Sequence, residues 1–546
     1  MDGLMQNWPL LIHTIIDHAA RNHGAQEIVT RTVEGPIHRY TYRDLHVRAR
    51  KVANGLKDLG VTMGNRIATM AWNTHRHAEV WYGSMGLGAV CHTINPRLFP
   101  GQVAYIVNHA EDDVIFVDTT FVKLLEAIKD DITRIKAFIV LTDKEHMPET
   151  TLPNALSYEE WVEGYREDFV WPQFDENTAA GICYTSGTTG NPKGVVYSHR
   201  SNVLHTLAVN NADGIGMKSA DTILPVVPMF HANAWAIIFG APSAGAKMVL
   251  PGARMDGEAI YELLDKEQVS ITAAVPTVWL MLLQYLEQTN KPLDHLRRVI
   301  IGGSAAPRSM IDTFKTRYGV DVLHAWGMTE MSPMGTLSQP KAGMDALPWD
   351  QQLDLRCKQG RVPYTVEMKI VDDNGAELPW DGKAFGRLMV RGPAVAGAYL
   401  KGEGGSILDE DGFFDTGDVA TIDHHGFMQI TDRAKDVIKS GGEWISSIDI
   451  ENLAVGHPKV AEAAVIGMPH PKWDERPLLI IVPKDGEKPT KEDVLEFLAG
   501  KIAKWWTPDD VVFVTDIPHS ATGKIQKVAL REQFKDYELP TAKDGA

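Results

Sequence analysis

The feature that most constrains this chain is the run Tyr184-Thr-Ser-Gly-Thr-Thr-Gly-Asn-Pro-Lys-Gly194. The mostly apolar stretch Ala179 to Tyr184 leads into it and reads as a strand; Val195 to Tyr197 leads out and reads as another. Between them Thr185, Ser186, Gly187, Thr188, Thr189 and Gly190 are all small or hydroxylated. Glycines let a backbone curl so that several N–H groups point at one anion, and hydroxyls add donors. Lys193 adds a mobile positive charge, so the loop suits a polyphosphate. A Walker A loop needs Gly-Lys followed by Ser or Thr and then a helix. Here Lys193 stands between Pro192 and Gly194, and the loop joins two strands, which excludes that architecture. A generic glycine-rich turn would be read as a flexible hairpin; a run this long and this specific is not generic.

The surroundings read as an α/β fold. Thr41 to Gly60 forms a helical pattern, with Thr41 placed to cap it, Leu45, Val52, Leu56 and Leu59 on one face, and Gly60 at its end. Short apolar runs at Ile67–Trp72, Val114–Val117, Lys247–Leu250, Ile271–Val275 and Val299–Ile301 alternate with helical patterns, as strands of buried sheets do. After Ile430 comes a charged crossing, Asp432-Arg-Ala-Lys-Asp-Val437. Beyond it, strand patterns at Val460–Ile466, Leu478–Val482 and Val511–Val514 and a helical pattern over Lys491–Ala503 suggest a separate small α/β unit. The expected organisation is a large N-terminal domain over 1–431 with several sheets packed with helices, a hinge at 432–437, and a small mobile domain over 438–546.

Composition narrows the function classes. With 44% hydrophobic and 23% charged residues, the 546-residue chain has the make-up of a soluble globular protein and is long enough for several domains. A net charge of −17, with no long Lys/Arg run, argues against nucleic acid as a partner. The three cysteines, Cys91, Cys183 and Cys357, have no paired spacing, which argues against a disulfide framework or zinc site and fits a reducing cytosol. The most apolar stretch, Ala234 to Ala246, is too short for a transmembrane segment and contains Pro242. The first residues lack the pattern of a signal peptide, and a cytoplasmic location is expected.

Other constellations carry chemistry only in combination. His231 and Trp235 lie in Val227-Pro-Met-Phe-His-Ala-Asn-Ala-Trp235; a lone histidine among apolar residues is more often a core residue than a catalyst. Val299 to Pro307 is a strand running into the glycine turn Gly302-Gly303-Ser304. His324-Ala-Trp-Gly-Met-Thr-Glu330 ends in a carboxylate of the kind a hard cation wants. Asp418 closes Phe414-Asp-Thr-Gly-Asp418, and Lys524 lies in Ser520-Ala-Thr-Gly-Lys-Ile-Gln-Lys527.

Taken in order, these motifs resemble those of the adenylate-forming superfamily: acyl-CoA synthetases, peptide-synthetase adenylation domains and luciferases. Within it the chain resembles bacterial medium- and long-chain fatty acyl-CoA synthetases and 3-methylmercaptopropionyl-CoA ligases. The resemblance implies catalytic roles for Lys524, His231 and Lys193, and ATP phosphates held by residues 185–190. It implies adenine and ribose contacts from Gly303, Ser304, Ala325, Trp326, Gly327, Met328, Thr329, Asp418 and Arg433, although the family more often shows Tyr where Ala325-Trp326 stand. Glu330 and Thr185 would hold Mg²⁺. His231, Trp235, Gly302, Met331 and Pro333 would border the acyl pocket, where soft methionines suit an alkyl chain or a thioether equally. Lys435 would be the hinge, and Lys439, Gly441, Gly442, Glu443 and Trp444 would line the path of CoA.

The implied activity is an ATP-dependent acid–CoA ligase. It forms an acyl-adenylate with release of pyrophosphate, then a thioester with release of AMP. The implied acid is 3-methylmercaptopropionate or a short-to-medium-chain fatty acid, with a long-chain acid as the alternative. A rival reading has the enzyme load a separate acyl carrier protein; another is a nucleotide-binding protein without catalysis. Relatives are often homodimers, an assembly on which the residues themselves carry no signal.

Overall fold

The computed structural model describes residues 1, 3–185, 191–434, 436–441, 443–519 and 525–543, with Glu443, Trp444 and Lys543 described by backbone alone. Expectations for Ser186, Gly187, Thr188, Thr189, Gly190, Lys435, Gly442 and Lys524 therefore lie outside the described residues.

Two large sheets carry the N-terminal part. In the seven-stranded one, Arg66–Met70, Val90–Thr93, Asp112–Val117, Ala137–Val140 and Ala179–Tyr184 run parallel, and Gly194–Ser198 returns antiparallel to Ala179–Tyr184 at the edge. In the eight-stranded one, Lys247–Leu250, Thr222–Pro225, Ile271–Ala274, Arg298–Ile301 and Asp321–Gly327 lie side by side in parallel, with Met334–Leu337 antiparallel at the edge. Their residues are short β-branched and apolar runs buried on both faces, the signature of strands covered by helices on each side. The covering helices bring their own start signals. The Thr41 hydroxyl accepts from Asp44 N, and the Asp44 carboxylate accepts from Thr41 N at 2.9 Å, a reciprocal cap that starts the helix Tyr42–Asp58.

A four-stranded antiparallel sheet follows: Glu367–Val371, Gly386–Arg391, Phe414–Ile422 and Met428–Arg433. Its last strand runs two residues into the segment expected as hinge, so Asp432 and Arg433 are sheet residues. The C-terminal sheet joins Ile438–Ser440, Glu443–Ile445, Val460–His470, Asp474–Pro483 and Asp510–Phe513. The helix expected over Lys491–Ala503 ends at Leu498. Ala499 already has an extended ψ of 129° and Gly500 turns to a φ of +76°, which stops the helical ladder. The apolar stretch Ala234 to Ala246 holds the buried helix Ile237–Ala244, and among the described residues no helix is long and apolar enough to cross a membrane.

Candidate active site

Parallel strands leave a crevice at their carboxyl ends, and that is where open α/β sheets place ligands. Three neighbouring segments emerge there: the chain after Thr222–Pro225 reaches His231, Arg298–Ile301 ends at Gly302, and Asp321–Gly327 ends two residues before Thr329.

The first segment turns in an unusual way. Ala232, Asn233, Ala234, Trp235 and Ala236 all have positive φ, between +44° and +59°. Left-handed backbone costs roughly 1–2 kcal/mol per non-glycine residue, so the turn persists only because its surroundings fix it. Asn233 donates to Asn202 Oδ1 at 3.1 Å, while Ala234 and Ala236 are fully buried in the main core. The turn swings the Trp235 indole over Gly302, where an added Cβ would lie 3.0 Å from Trp235 Cη2 and 3.2 Å from the Ala325 carbonyl oxygen. Gly303 has a φ of +84°, so this glycine pair is required for both conformation and space. His324 supports the same turn from beneath. Its Nε2 accepts from Ala306 N at 3.2 Å and its Nδ1 bonds the Cys357 carbonyl at 2.9 Å, and burial pushes its pKa down to about 4. Ser304 stands exposed at the rim.

The strand holding Ala325, Trp326 and Gly327 leads into a tight return. Met328 N donates to the Pro333 carbonyl at 3.0 Å, and a side chain on Gly327 would collide with that carbonyl. Two of the expected site residues are buried here. Trp326 has its Nε1 donating to Asp418 Oδ2 at 2.8 Å, so it supports the acid expected at the ribose. Met331, expected at the acyl pocket, is 1% exposed and packs with Trp326, Met368 and Ile370 in the core of the four-stranded sheet. Met334 is the methionine that shares a cluster with Ala234, Ala236 and Trp235. The return between them reverses the chain, so neighbouring methionines face different cores.

Asp418 is held by Trp326 and by Arg433, whose Nε lies 2.9 Å from Oδ1. The phosphate loop is closed at its base by a Thr185–Lys193 pair: Thr185 N donates to Lys193 O at 2.9 Å and Lys193 N to Thr185 Oγ1 at 3.2 Å. The Lys193 ammonium lies 4.8 Å from the centre of the Tyr399 ring, and the Tyr399 hydroxyl donates to Glu330 Oε1 at 2.7 Å. Lys193 and Glu330 are thus brought to one residue. Tyr197, on the strand leaving the loop, donates to the Thr329 carbonyl at 2.7 Å and fixes the Glu330 turn from the other side. A buried carboxylate with one oxygen anchored, beside the loop expected to hold phosphates, fits Mg²⁺, a hard cation that keeps several waters and takes one or two carboxylates.

The expected CoA loop is a hairpin edge of the C-terminal sheet, with Lys439 paired opposite Trp444 and Ser440 opposite Glu443. Gly441 has a φ of +60°, its N–H donates to the Trp473 carbonyl at 2.8 Å, and the Trp473 ring leaves no room for a Cβ. Lys439 is exposed and its N–H donates to Glu475 at 3.0 Å. Sequence reasoning missed Trp473, Tyr399 and Tyr197. For Tyr399 the available signal was a tyrosine in the glycine-punctuated stretch Gly397-Ala-Tyr-Leu-Lys-Gly402.

The family profile of AMP-binding enzymes matches residues 16–400, and that of the AMP-binding enzyme C-terminal domain matches 449–524. The chain belongs to the AMP-binding enzyme family. It is 52% identical to a 3-methylmercaptopropionyl-CoA ligase of Ruegeria lacuscaerulensis, over 98% of this chain and 99% of that one. It is 48% identical to a medium-chain-fatty-acid–CoA ligase of Ectopseudomonas oleovorans, over 99% and 98%. Among solved structures it is similar to the anthranilate CoA ligase AuaEII in complex with anthranoyl-AMP, with a TM-score of 0.84 and 26% identity over 95% of this chain and 97% of that one. The resemblance seen in the motifs and the fold inferred from them agree with these matches.

Proposed function

We propose that this AMP-binding enzyme is a cytoplasmic ATP-dependent acid–CoA ligase acting on 3-methylmercaptopropionate or a short-to-medium-chain fatty acid. The observation that carries the reading is the meeting of Lys193 and Glu330 at Tyr399, with Asp418 fixed beside the same turn by Trp326. The relatives' names favour the same acids.

A carboxylate is a poor acyl donor because its leaving group would be oxide. The acid oxygen therefore attacks the α-phosphorus of ATP, forming the acyl-adenylate and expelling pyrophosphate. Positioning and charge stabilisation dominate such a transfer. Lys193 and the hydroxyls and backbone donors of the phosphate loop hold the polyphosphate, while Asp418 accepts from the ribose hydroxyls and Arg433 makes a second nucleotide contact. Glu330, with Thr185, would hold Mg²⁺, which when bound neutralises charge on phosphate oxygens. Lys524 reaches the α-phosphate and carboxylate as a mobile counter-charge. Turning about Lys435 then withdraws Lys524 and brings up the hairpin of Lys439 and Gly441, so that the CoA thiol attacks the adenylate carbonyl beside His231 and AMP leaves. Trp235 over Gly302 limits the acyl pocket.

Assays across an acid series from propionate to palmitate, including the thioether acid, should give AMP and pyrophosphate, with the highest rate among the shorter acids. ADP and free phosphate as products would refute the reaction class; palmitate as best substrate would favour the long-chain alternative. Offering CoA and an acyl carrier protein in parallel identifies the acceptor. Lys524→Ala should slow adenylation by about 10²–10³ and affect thioester formation from supplied acyl-adenylate far less.

A further inference from the structure

Tyr399 stands apart from the residues that the motifs single out, yet Glu330, Lys193 and the strands flanking the phosphate loop all meet at it. Its hydroxyl donates to Glu330 Oε1 at 2.7 Å. Its ring face receives the Lys193 ammonium at 4.8 Å, and an aromatic face attracts a cation through its quadrupole. The ring packs against Cys183, Val195 and Tyr197 on the two strands that flank the phosphate loop. The residues after it continue the contact. Leu400 covers Gly194, where an added Cβ would be 3.1 Å from Leu400 Cβ, and Gly404, at a φ of +79°, leaves room for Lys193 Nζ. Glu403 accepts from the Tyr105 hydroxyl at 3.2 Å and lies 3.4 Å from His109 Nε2, whose Nδ1 bonds the Tyr184 hydroxyl at 2.7 Å. The segment from Tyr399 to Gly404 is therefore fastened to both ends of the phosphate loop.

A phenol has one proton to give. Bound to Oε1 of Glu330, it fixes the carboxylate plane and leaves the remaining lone pairs for another ligand. Hydrogen bonds of this kind behind a metal ligand orient it, and losing one typically weakens metal binding 10–100-fold. The ring meanwhile holds the Lys193 ammonium beside the carboxylate by an attraction weak enough to yield to phosphate oxygens.

We propose that Tyr399 is a positioning residue of the ATP site: its hydroxyl aims the Glu330 carboxylate at the cation that accompanies ATP, and its ring holds Lys193 ready for the phosphates. This rests on the reading of Glu330 as the cation ligand, and the experiment separates the two.

ATP binding to the full chain is measured by calorimetry without acid or CoA, first in chelator and then across a Mg²⁺ series, for the parent, Tyr399→Phe, Tyr399→Leu and Glu330→Gln. Tyr399→Phe should raise the Mg²⁺ concentration for half-saturation about tenfold and leave metal-free ATP binding unchanged. Tyr399→Leu should raise it equally and weaken metal-free binding as well, because Lys193 loses its ring. The proposal is overturned if Glu330→Gln moves the Mg²⁺ midpoint while Tyr399→Phe leaves it within about twofold, even if thermal unfolding shows Tyr399→Phe to be less stable. If Glu330→Gln does not move it, the cation site itself is misassigned, and the role of Tyr399 falls with it.

Discussion

The indole N–H of Trp326 donates to Asp418 Oδ2 across 2.8 Å, joining the outermost parallel strand of the eight-stranded sheet to the antiparallel sheet that carries the expected ribose contact. Asp418 has its other oxygen on Arg433, so Trp326 and Arg433 together orient the carboxylate. Trp326→Phe keeps the packing and removes the donor. A hydrogen bond to a charged group is worth about 1.5–3 kcal/mol, so the KM for ATP should rise by about 10- to 150-fold with the KM for the acid nearly unchanged. Initial rates with each substrate varied check this; a rise confined to the acid would instead assign Trp326 to the acyl pocket.

The acyl pocket can be probed with one methyl group. Gly302→Ala puts a Cβ 3.0 Å from Trp235 Cη2 and 3.2 Å from the Ala325 carbonyl oxygen, and only the indole is free to yield. A methyl group in an apolar pocket changes discrimination by roughly 10–200-fold. The best acid should lose at least about tenfold in kcat/KM, the KM for ATP should hold, and the preferred chain length should shift. A uniform loss over all acids would show that Trp235 does not set the pocket.

Acid sensitivity should follow from His324. Burial lowers its pKa from 6.5 to about 4, so the folded protein binds fewer protons than the unfolded chain between those values. Stability is therefore complete above pH 6.5 and declines as pH falls towards 4, by about 3 kcal/mol for this group. Protonation would also put an N–H against Ala306 N–H and loosen the Gly302 turn. Denaturant unfolding from pH 4 to 8 should give a slope shallower by nearly one proton in His324→Asn than in the parent. Equal slopes would show that His324 is not among the groups that titrate on unfolding.

What could be read from sequence was local. The Thr41 cap, the strands expected at Lys247–Leu250 and Val299–Ile301, and the strand-loop-strand around the phosphate loop are set by neighbouring residues, and they appear where the patterns put them, the second strand beginning one residue earlier at Arg298. The bond from Tyr399 to Glu330 spans 69 residues and that from Trp326 to Asp418 spans 92, and no periodicity reports such contacts. Met331 and Met334 look equivalent in sequence, because the return at Pro333 that separates their cores depends on Gly327 having no side chain. The end of the helix at Leu498 was within reach, since Gly500 stands just beyond it.

Past the expected hinge, one lysine holds the small sheet to the last strand of the large part. Lys527 Nζ lies 2.8 Å from Glu451 and 3.8 Å from Asp432, and it donates to the Ser447 hydroxyl, which in turn donates to Asp432. The side chains of Lys527 and Glu451 are 10% and 12% exposed and that of Asp432 is 2% exposed, so their charges are poorly hydrated. Burial works against the ammonium, but the two carboxylates outweigh it and hold the Lys527 pKa above its ordinary value. Lys527→Met keeps the bulk and strands both acids. Breaking a buried pair from one side costs about 3–5 kcal/mol, so the calorimetric transition of the C-terminal unit should move down while Arg531 still holds Asp436. The loss should be larger at pH 8 than at pH 5, because a stranded Glu451 relieves the strain by taking a proton. Adding Glu451→Leu removes much of the unpaired charge and should restore most of the stability. A double variant no more stable than Lys527→Met would mean that the lysine acts by packing and not by charge.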